Sequence, residues 1–194
     1  MSLRGFGGGQ DRMREFEEVA LVHLNALYQT ALRMTRSRAE ADDVVQETFL
    51  RAFKSFDRFN PGTNCRAWLF TILRNVFLNR VRAGGREVLE DDMERQESDR
   101  PSATGVGVPS PEETFFQTVL HGDVDRALKE LPLIFREIVI FADLEGLSYR
   151  EIADVLGCPI GTVMSRLSRG RQLLRGTLRR FAREHGYVKG AEDV

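Results

Sequence analysis

No stretch of this chain stays apolar for anything near the ~20 residues that a membrane-crossing helix needs. Its opening residues, MSLRGFGGGQDR, contain no hydrophobic core of a secretory signal. Both absences predict a cytoplasmic protein with no membrane insertion. Cysteine is scarce: Cys65 and Cys158 are the two in 194 residues, and their separation matches no metal-ligand spacing. Two reduced thiols is the simpler reading, with a redox or metal role as the alternative. His23, His121 and His185 are scattered and show no partner pattern for zinc or for acid–base catalysis. With no nucleophile–base pair and no third acidic cluster, an enzymatic site and a cofactor are not expected. Nor does any segment alternate as a β-strand would, or repeat.

Net charge is also small, at −1, but that mean hides segregated blocks. Arg58 to Arg86 holds six arginines and no acid. Glu87 to Glu113 holds nine acids against Arg95 and Arg100. Pro159 to Arg183 holds seven arginines and again no acid. Such surpluses repel themselves unless an anionic partner is present. Two basic modules separated by an acidic tether is the simplest account.

The apolar periodicity predicts an all-α protein of two small helical domains. Residues 1–12 are Gly-rich and expected to be disordered. The first module, 13–86, should contain helices over about 15–35, 41–56 and 65–82. Their breaks fall at about 36–39 and at Asn60-Pro61-Gly62. Trp68 shares the stripe of Leu69, Ile72 and Val76, so it reads as core. Residues 87–112 are acidic, then rich in Ser, Pro and Gly, a composition that cannot offset chain entropy by burial. They read as a flexible linker. The second module, 113–184, should open with helices over about 113–131 and 133–144, and 185–194 form a tail.

The segment LSYREIADVLGCPIGTVMSRLSRGRQLLR, Leu147 to Arg175, is the most informative. Ser148 and Glu151 form an S-x-x-E capping box, Ile152, Val155 and Leu156 follow at helical steps, and Gly157 suits a helix stop. A second helix from about Ile160 would bury Ile160, Val163, Leu167 and Leu174. Its other face offers Thr162, Met164, Ser165, Arg166, Ser168, Arg169 and Arg171. A helix of this kind fits the DNA major groove, where arginine forks onto guanine and hydroxyls reach phosphates or base edges. Two helices around a Gly turn also occur as plain core; the acid-free arginine run favours DNA.

In the first module Asp42, Asp43, Gln46, Glu47 and Arg51 lie along one polar strip at steps of three and four. On the third helix Arg66, Thr71, Arg74, Asn75, Asn79 and Arg82 fall off the apolar stripe, with Phe59 and Phe70 nearby. Arginines beside aromatics suit single-stranded DNA, where cations track phosphates and rings stack on unpaired bases. Ordinary core is the alternative for the aromatics.

Taken in order, ADDVVQETFLRAF, NCRAWLFTILRNVFLNRVR and the helix-turn-helix block resemble the extracytoplasmic-function (ECF) class of bacterial RNA polymerase sigma factors. The resemblance spans about residues 13–183. PGTN-x-RAWL and GCPIGTVMSRL-x-RGR resemble the subgroup controlled by anti-sigma factors, often zinc-binding ones. It implies a non-enzymatic protein that binds core RNA polymerase and directs it to a two-part promoter. Asp42, Asp43, Gln46 and Glu47 would dock on the β′ coiled-coil, with the β flap as a further contact. Arg51, Phe59, Asn60, Asn64, Arg66, Phe70, Arg74, Asn75 and Asn79 would capture unpaired bases of the −10 element. Met164, Ser165, Ser168 and Arg169 would face −35 bases, and Ser148, Tyr149, Thr162, Arg166 and Arg171 would hold phosphates, with Arg166 alternatively turned inward. Many relatives carry arginine at the position of Met164, so base preference there should differ. The linker would thread the polymerase cleft or serve only as a tether. Promoter DNA and an anti-sigma factor are the implied partners of a chain that is monomeric when free. The rivals are a stand-alone DNA-binding regulator and a polymerase-binding adaptor that reads no DNA.

Overall fold

The computed structural model describes residues 8–83 and 122–184, and among these all regular structure is helical. The first module is α1 (Gly8–Ala20), a 3-10 turn at Leu21–His23, α2 (Leu24–Thr35), α3 (Arg38–Ser55), a second 3-10 turn at Phe56–Arg58 and α4 (Cys65–Ala83). The second is α5 (residues 122–130), α6 (Leu133–Val139), a π-turn at Ile140–Leu144, α7 (Tyr149–Leu156) and α8 (Ile160–Glu184). The expected linker, the first part of the expected 113–131 helix and the tail lie outside the described residues.

Local chemistry explains each boundary. Arg36 takes a left-handed conformation at φ 64° and closes α2, donating its N–H to the Leu32 carbonyl at 3.0 Å. Ser37 then caps α3, its hydroxyl accepting from the Glu40 N–H. Asn60 builds the expected turn, its side chain accepting from Gly62 N–H at 3.1 Å and its carbonyl from Thr63 N–H at 2.9 Å. Asn64 opens α4 by accepting from the N–H groups of Arg66 and Ala67. In the second module the capping box of Ser148 and Glu151 is present in both directions, and Gly157 ends α7 at φ 64°.

Three details depart from the periodicity. The helix expected over 15–35 is broken by the 3-10 turn, which the seven-residue step from buried Ala20 to buried Leu27 conceals. α1 begins at Gly8, where disorder was expected, because tertiary contacts hold its second turn. Arg12 donates to the Phe53 carbonyl at 2.7 Å and stands 5.0 Å over the Phe53 ring. Ile160, expected to be buried, is 45% exposed, since it is the first residue of α8 and has no turn before it to pack with.

Phe16 anchors the first module, meeting Phe53 and Phe56 edge-on at ring distances of 5.2 Å. In the second, α6 and α8 cross so closely that a Cβ on Gly170 would sit 2.9 Å from a Val139 methyl. Only glycine fits that crossing. The two modules also share one apolar core, in which Phe70 of α4 meets Phe141 of the π-turn at 5.4 Å. Arg136 ties them further: its guanidinium is buried and donates to the carbonyls of Leu128 and Leu131, and across the junction to that of Met34. Burial there lowers its pKa to about 10, leaving it charged at neutral pH. Arg33 of α2 pairs with Asp125 of α5 at 2.8 Å. The modules are closed on each other.

Candidate nucleic-acid interface

The polar strip of α3 stands on the outer side of the first module, because Ala41, Val44, Val45, Thr48 and Ala52 take the inner side. Asp42, Asp43 and Gln46 are exposed and Glu47 half-buried. The acids are not all unengaged. Arg80 of α4 reaches Asp43 at 3.2 Å and Glu47 at 3.1 Å, and Arg51 also pairs with Glu47. Slight burial pushes the Glu47 carboxyl up, but the hydrogen bonds from Arg80 and Arg51 outweigh it and hold the pKa below its usual value. Glu47 is therefore held in place and ionised at neutral pH, and the free corners of the strip are at Asp42 and Gln46.

The α4 face divides in two. Asn75, Asn79 and, on the preceding turn, Asn60 are exposed. Phe59 is half-buried beside Trp68, ring centroids 5.0 Å apart, and stacks on Phe56 at 5.9 Å. Trp68 is likewise half-buried, so this aromatic group is core on one side and accessible on the other. Of the other assigned positions, Arg51 pairs with Glu47 on its own helix, while Asn64, Arg66, Phe70 and Arg74 meet the second module. Arg74 forks onto Glu137 with contacts of 2.9 and 3.1 Å. Arg66 donates to Glu145 and stands over the Phe70 ring at 5.6 Å. Thr30 of α2 donates to the other oxygen of Glu145 at 2.9 Å. Asn64 donates to Glu151, and Phe70 is fully buried against Phe141.

The helix-turn-helix presents the second face. Val163 and Leu167 fill the core, which turns Met164, Ser165 and Ser168 outward and leaves Thr162, Arg166 and Arg169 at its edges. Met164 is 48% exposed. Ser148 and Tyr149 are exposed at the start of α7. Ser165 donates back to the Thr162 carbonyl at 3.1 Å, a bond it can exchange for a base or phosphate. Arg171 is engaged: Asp143 accepts from its Nε at 3.0 Å. A phosphate reaching Arg171 would have to compete with that carboxylate.

Sequence reasoning did not mark Glu137, Asp143, Glu145 or Arg80. A signal existed for the first: Glu137 interrupts the apolar run LIFREIVIF, and an acid so placed is rarely buried without a partner. Glu145 gave none, since it reads as part of an ordinary Glu-Gly turn. Burial pushes the thiols of both Cys65 and Cys158 up, so neither is a ready thiolate at neutral pH. Among the described residues no cluster of three His, Cys, Asp or Glu could hold a metal, and no helix is long and apolar enough to cross a membrane.

Comparison with known proteins places both modules. Residues 21–87 match the model of Sigma-70 region 2, and residues 121–174 that of Sigma-70 region 4. The chain is 38% identical over 180 residues to an ECF RNA polymerase sigma factor, SigE, of Mycolicibacterium smegmatis, covering 91% of this chain and 66% of that one. It is 37% identical over 183 residues to the ECF sigma factor EcfG of Rhodopseudomonas palustris, covering 94% of this chain and 90% of the relative. Among solved structures, the sigma factor RpoE in complex with the anti-sigma factor NepR from Bartonella quintana is similar at a TM-score of 0.64 and 35% identity, covering 86% of this chain and 98% of that one. With a region 2 module, a region 4 module and a relative at 37% identity matched over 90% of its length, the chain belongs to the ECF RNA polymerase sigma factors.

Proposed function

We propose that this sigma factor binds core RNA polymerase through the α3 strip, reads a −35 element with α8 and captures unpaired −10 bases with the α4 face. The observation that carries it is the pairing of two unlike surfaces in one chain. One is an arginine-bearing recognition helix free of acid from Pro159 to Arg183. The other sets Asn75 and Asn79 on a helix whose first turns adjoin a half-open aromatic group. Duplex is read by the first and single strand by the second, so binding energy is gained as the −10 region opens.

In the −35 complex Met164, Ser165, Ser168 and Arg169 face bases, while Ser148, Tyr149, Thr162, Arg166 and Arg171 position the helix on phosphates. In the −10 complex Arg51, Phe59, Asn60, Asn64, Arg66, Phe70, Arg74, Asn75 and Asn79 surround the strand. Asn75 both donates and accepts, which suits a base edge. No residue of either face needs to do covalent chemistry for this role. An anti-sigma factor is the further partner we assign, supported by the similar RpoE structure being a complex with one. The finer reading, a zinc-binding anti-sigma factor, predicts stoichiometric zinc in a partner purified with this chain.

Run-off transcription on fragmented genomic DNA, with core polymerase and with or without this protein, tests the proposal. New start sites sharing two spaced upstream motifs are expected. Binding to core without new starts would point to an adaptor, and no binding to core would point to a stand-alone regulator.

A further inference from the structure

From Pro159 to Arg183 the chain has no acid, yet one arginine on the side of α8 assigned to DNA does carry a carboxylate. Asp143, from the π-turn, accepts from Arg171 Nε at 3.0 Å and from its Nη2 at 2.5 Å. Arg166 and Arg169, the other arginines assigned to the −35 element, make no ion pair among the described residues. The place of Asp143 is set by the backbone of the turn. Glu145 N–H donates to the Ile140 carbonyl and Leu147 N–H to that of Phe141, both at 2.9 Å. Ile140 and Phe141 enter the core, and Asp143 is left at the surface against α8. The pair stays within reach of a ligand, with side chains 48% exposed at Arg171 and 32% at Asp143.

A guanidinium has five N–H groups, and this carboxylate takes one edge of the fork, Nε with Nη2. The Nη1 end remains for a phosphate, but what meets the phosphate is a pair of zero net charge. That changes how the contact recognises DNA. A lone arginine draws phosphates from within a Debye length, about 10 Å at ~0.1 M salt, whatever the sequence. A neutralised one holds a phosphate only through short, directional hydrogen bonds, made once the helix is in register.

We propose that Asp143 is a specificity-determining residue of the −35 face: it cancels the charge of Arg171 and so makes that contact depend on register. This rests on the reading of α8 as the duplex-binding helix. Removing the carboxylate would leave Arg171 a free cation, adding one electrostatic contact to any sequence. Non-specific binding gains most from such a contact, because it has little else, and the ratio of specific to non-specific affinity falls.

The test uses the full chain and two labelled 20-base-pair duplexes, read by fluorescence anisotropy across a series of KCl concentrations. One duplex has a mixed sequence; the other carries the upstream motif mapped by run-off transcription. Asp143→Asn should bind the mixed duplex about threefold more tightly at low salt, and its plot of log Kd against log salt should steepen by up to about 0.9, the share of one phosphate. The motif duplex should gain less. Adding Arg171→Ala should abolish the gain, and Glu40→Gln, the same charge change on an exposed acid of the first module, should give none. An unchanged slope overturns the proposal, as does a gain that Glu40→Gln matches or that survives Arg171→Ala. Equal gains on both duplexes would make Asp143 a general brake and overturn its role in specificity. Weaker binding would show that Asp143 aims Arg171 at phosphate instead of neutralising it, and overturns the proposal too. Circular dichroism checks folding; should Asp143→Asn lose helix, Asp143→Ala decides by the same criteria. The slope on the mixed duplex needs neither polymerase nor a mapped start site, so failure of run-off transcription by the wild-type chain would sink the sigma-factor mechanism and leave this readout standing apart from it.

Discussion

The two faces assigned to nucleic acid differ in what already lies on them. The recognition helix shows Met164, Ser165 and Ser168 to solvent, and of its assigned arginines Arg171 pairs with an acid of its own module. On α4, by contrast, Arg66, Phe70 and Arg74 are covered by the other module. Under the proposed roles, the difference matches the availability of the ligand. Duplex DNA is present at all times, whereas an unpaired promoter strand arises only after opening. A strand-binding face left bare would meet other anions first.

That comparison can be broken most forcefully at the apolar seal. Phe141→Ala should cost about 3–5 kcal/mol of global stability, because it removes a fully buried ring from the core that joins the modules. Chemical denaturation checks it; a loss confined to the second module's transition would show that the shared core is not cooperative. Arg169→Ala sharpens the open face: if it forks onto a guanine, it should cost about 1–3 kcal/mol and relax preference at that one base. Binding of the polymerase complex to a panel of −35 variants separates this from a uniform loss, which would make Arg169 a phosphate contact. Asn75→Ala should weaken promoter opening, read by permanganate reactivity of unpaired thymines, with core polymerase affinity unchanged. Loss of both together would contradict the role given to it.

The smallest effect concerns acid. Hydrogen bonds from the Ser148 side chain, then from Asn64, hold the Glu151 carboxyl below its ordinary value of 4.5. Because the folded value is the lower one, this stabilisation is complete above pH 4.5 and is lost as pH falls through the folded value. An Asn64→Ala variant should flatten the acid limb of the stability curve by about 1 kcal/mol or less, since the pair is partly exposed.

Most of the fold is visible in local chemistry. Helix-capping residues announce themselves, so Ser148, Glu151, Gly157 and the Asn60 turn stand where their side chains require. Exposed site residues such as Asp42, Asn75 and Met164 follow from helical phase alone. What sequence hides is anything decided between segments distant along the chain. Nothing in Glu145 itself points to Arg66, which is 79 positions away, and Phe70 reads equally well as core or as a stacking platform. The order of helix at Arg12 depends on the Phe53 carbonyl, again far off in sequence.

The π-turn after α6 has one more implication. Its wide ring, with the Glu145 N–H donating to the Ile140 carbonyl, amounts to one extra residue in an otherwise α-helical path. Asp143 serves its own module through Arg171, while Glu145 serves the other through Arg66 and Thr30. Deleting a single codon there would restore ordinary helix and rotate Glu145 by about 100° relative to the residues before the turn. The contacts of Glu145 with Arg66 and Thr30 would be lost, while those of Asp125, Arg136 and Glu137, which precede the turn, would remain. One codon therefore sets whether Glu145 faces the other module at all.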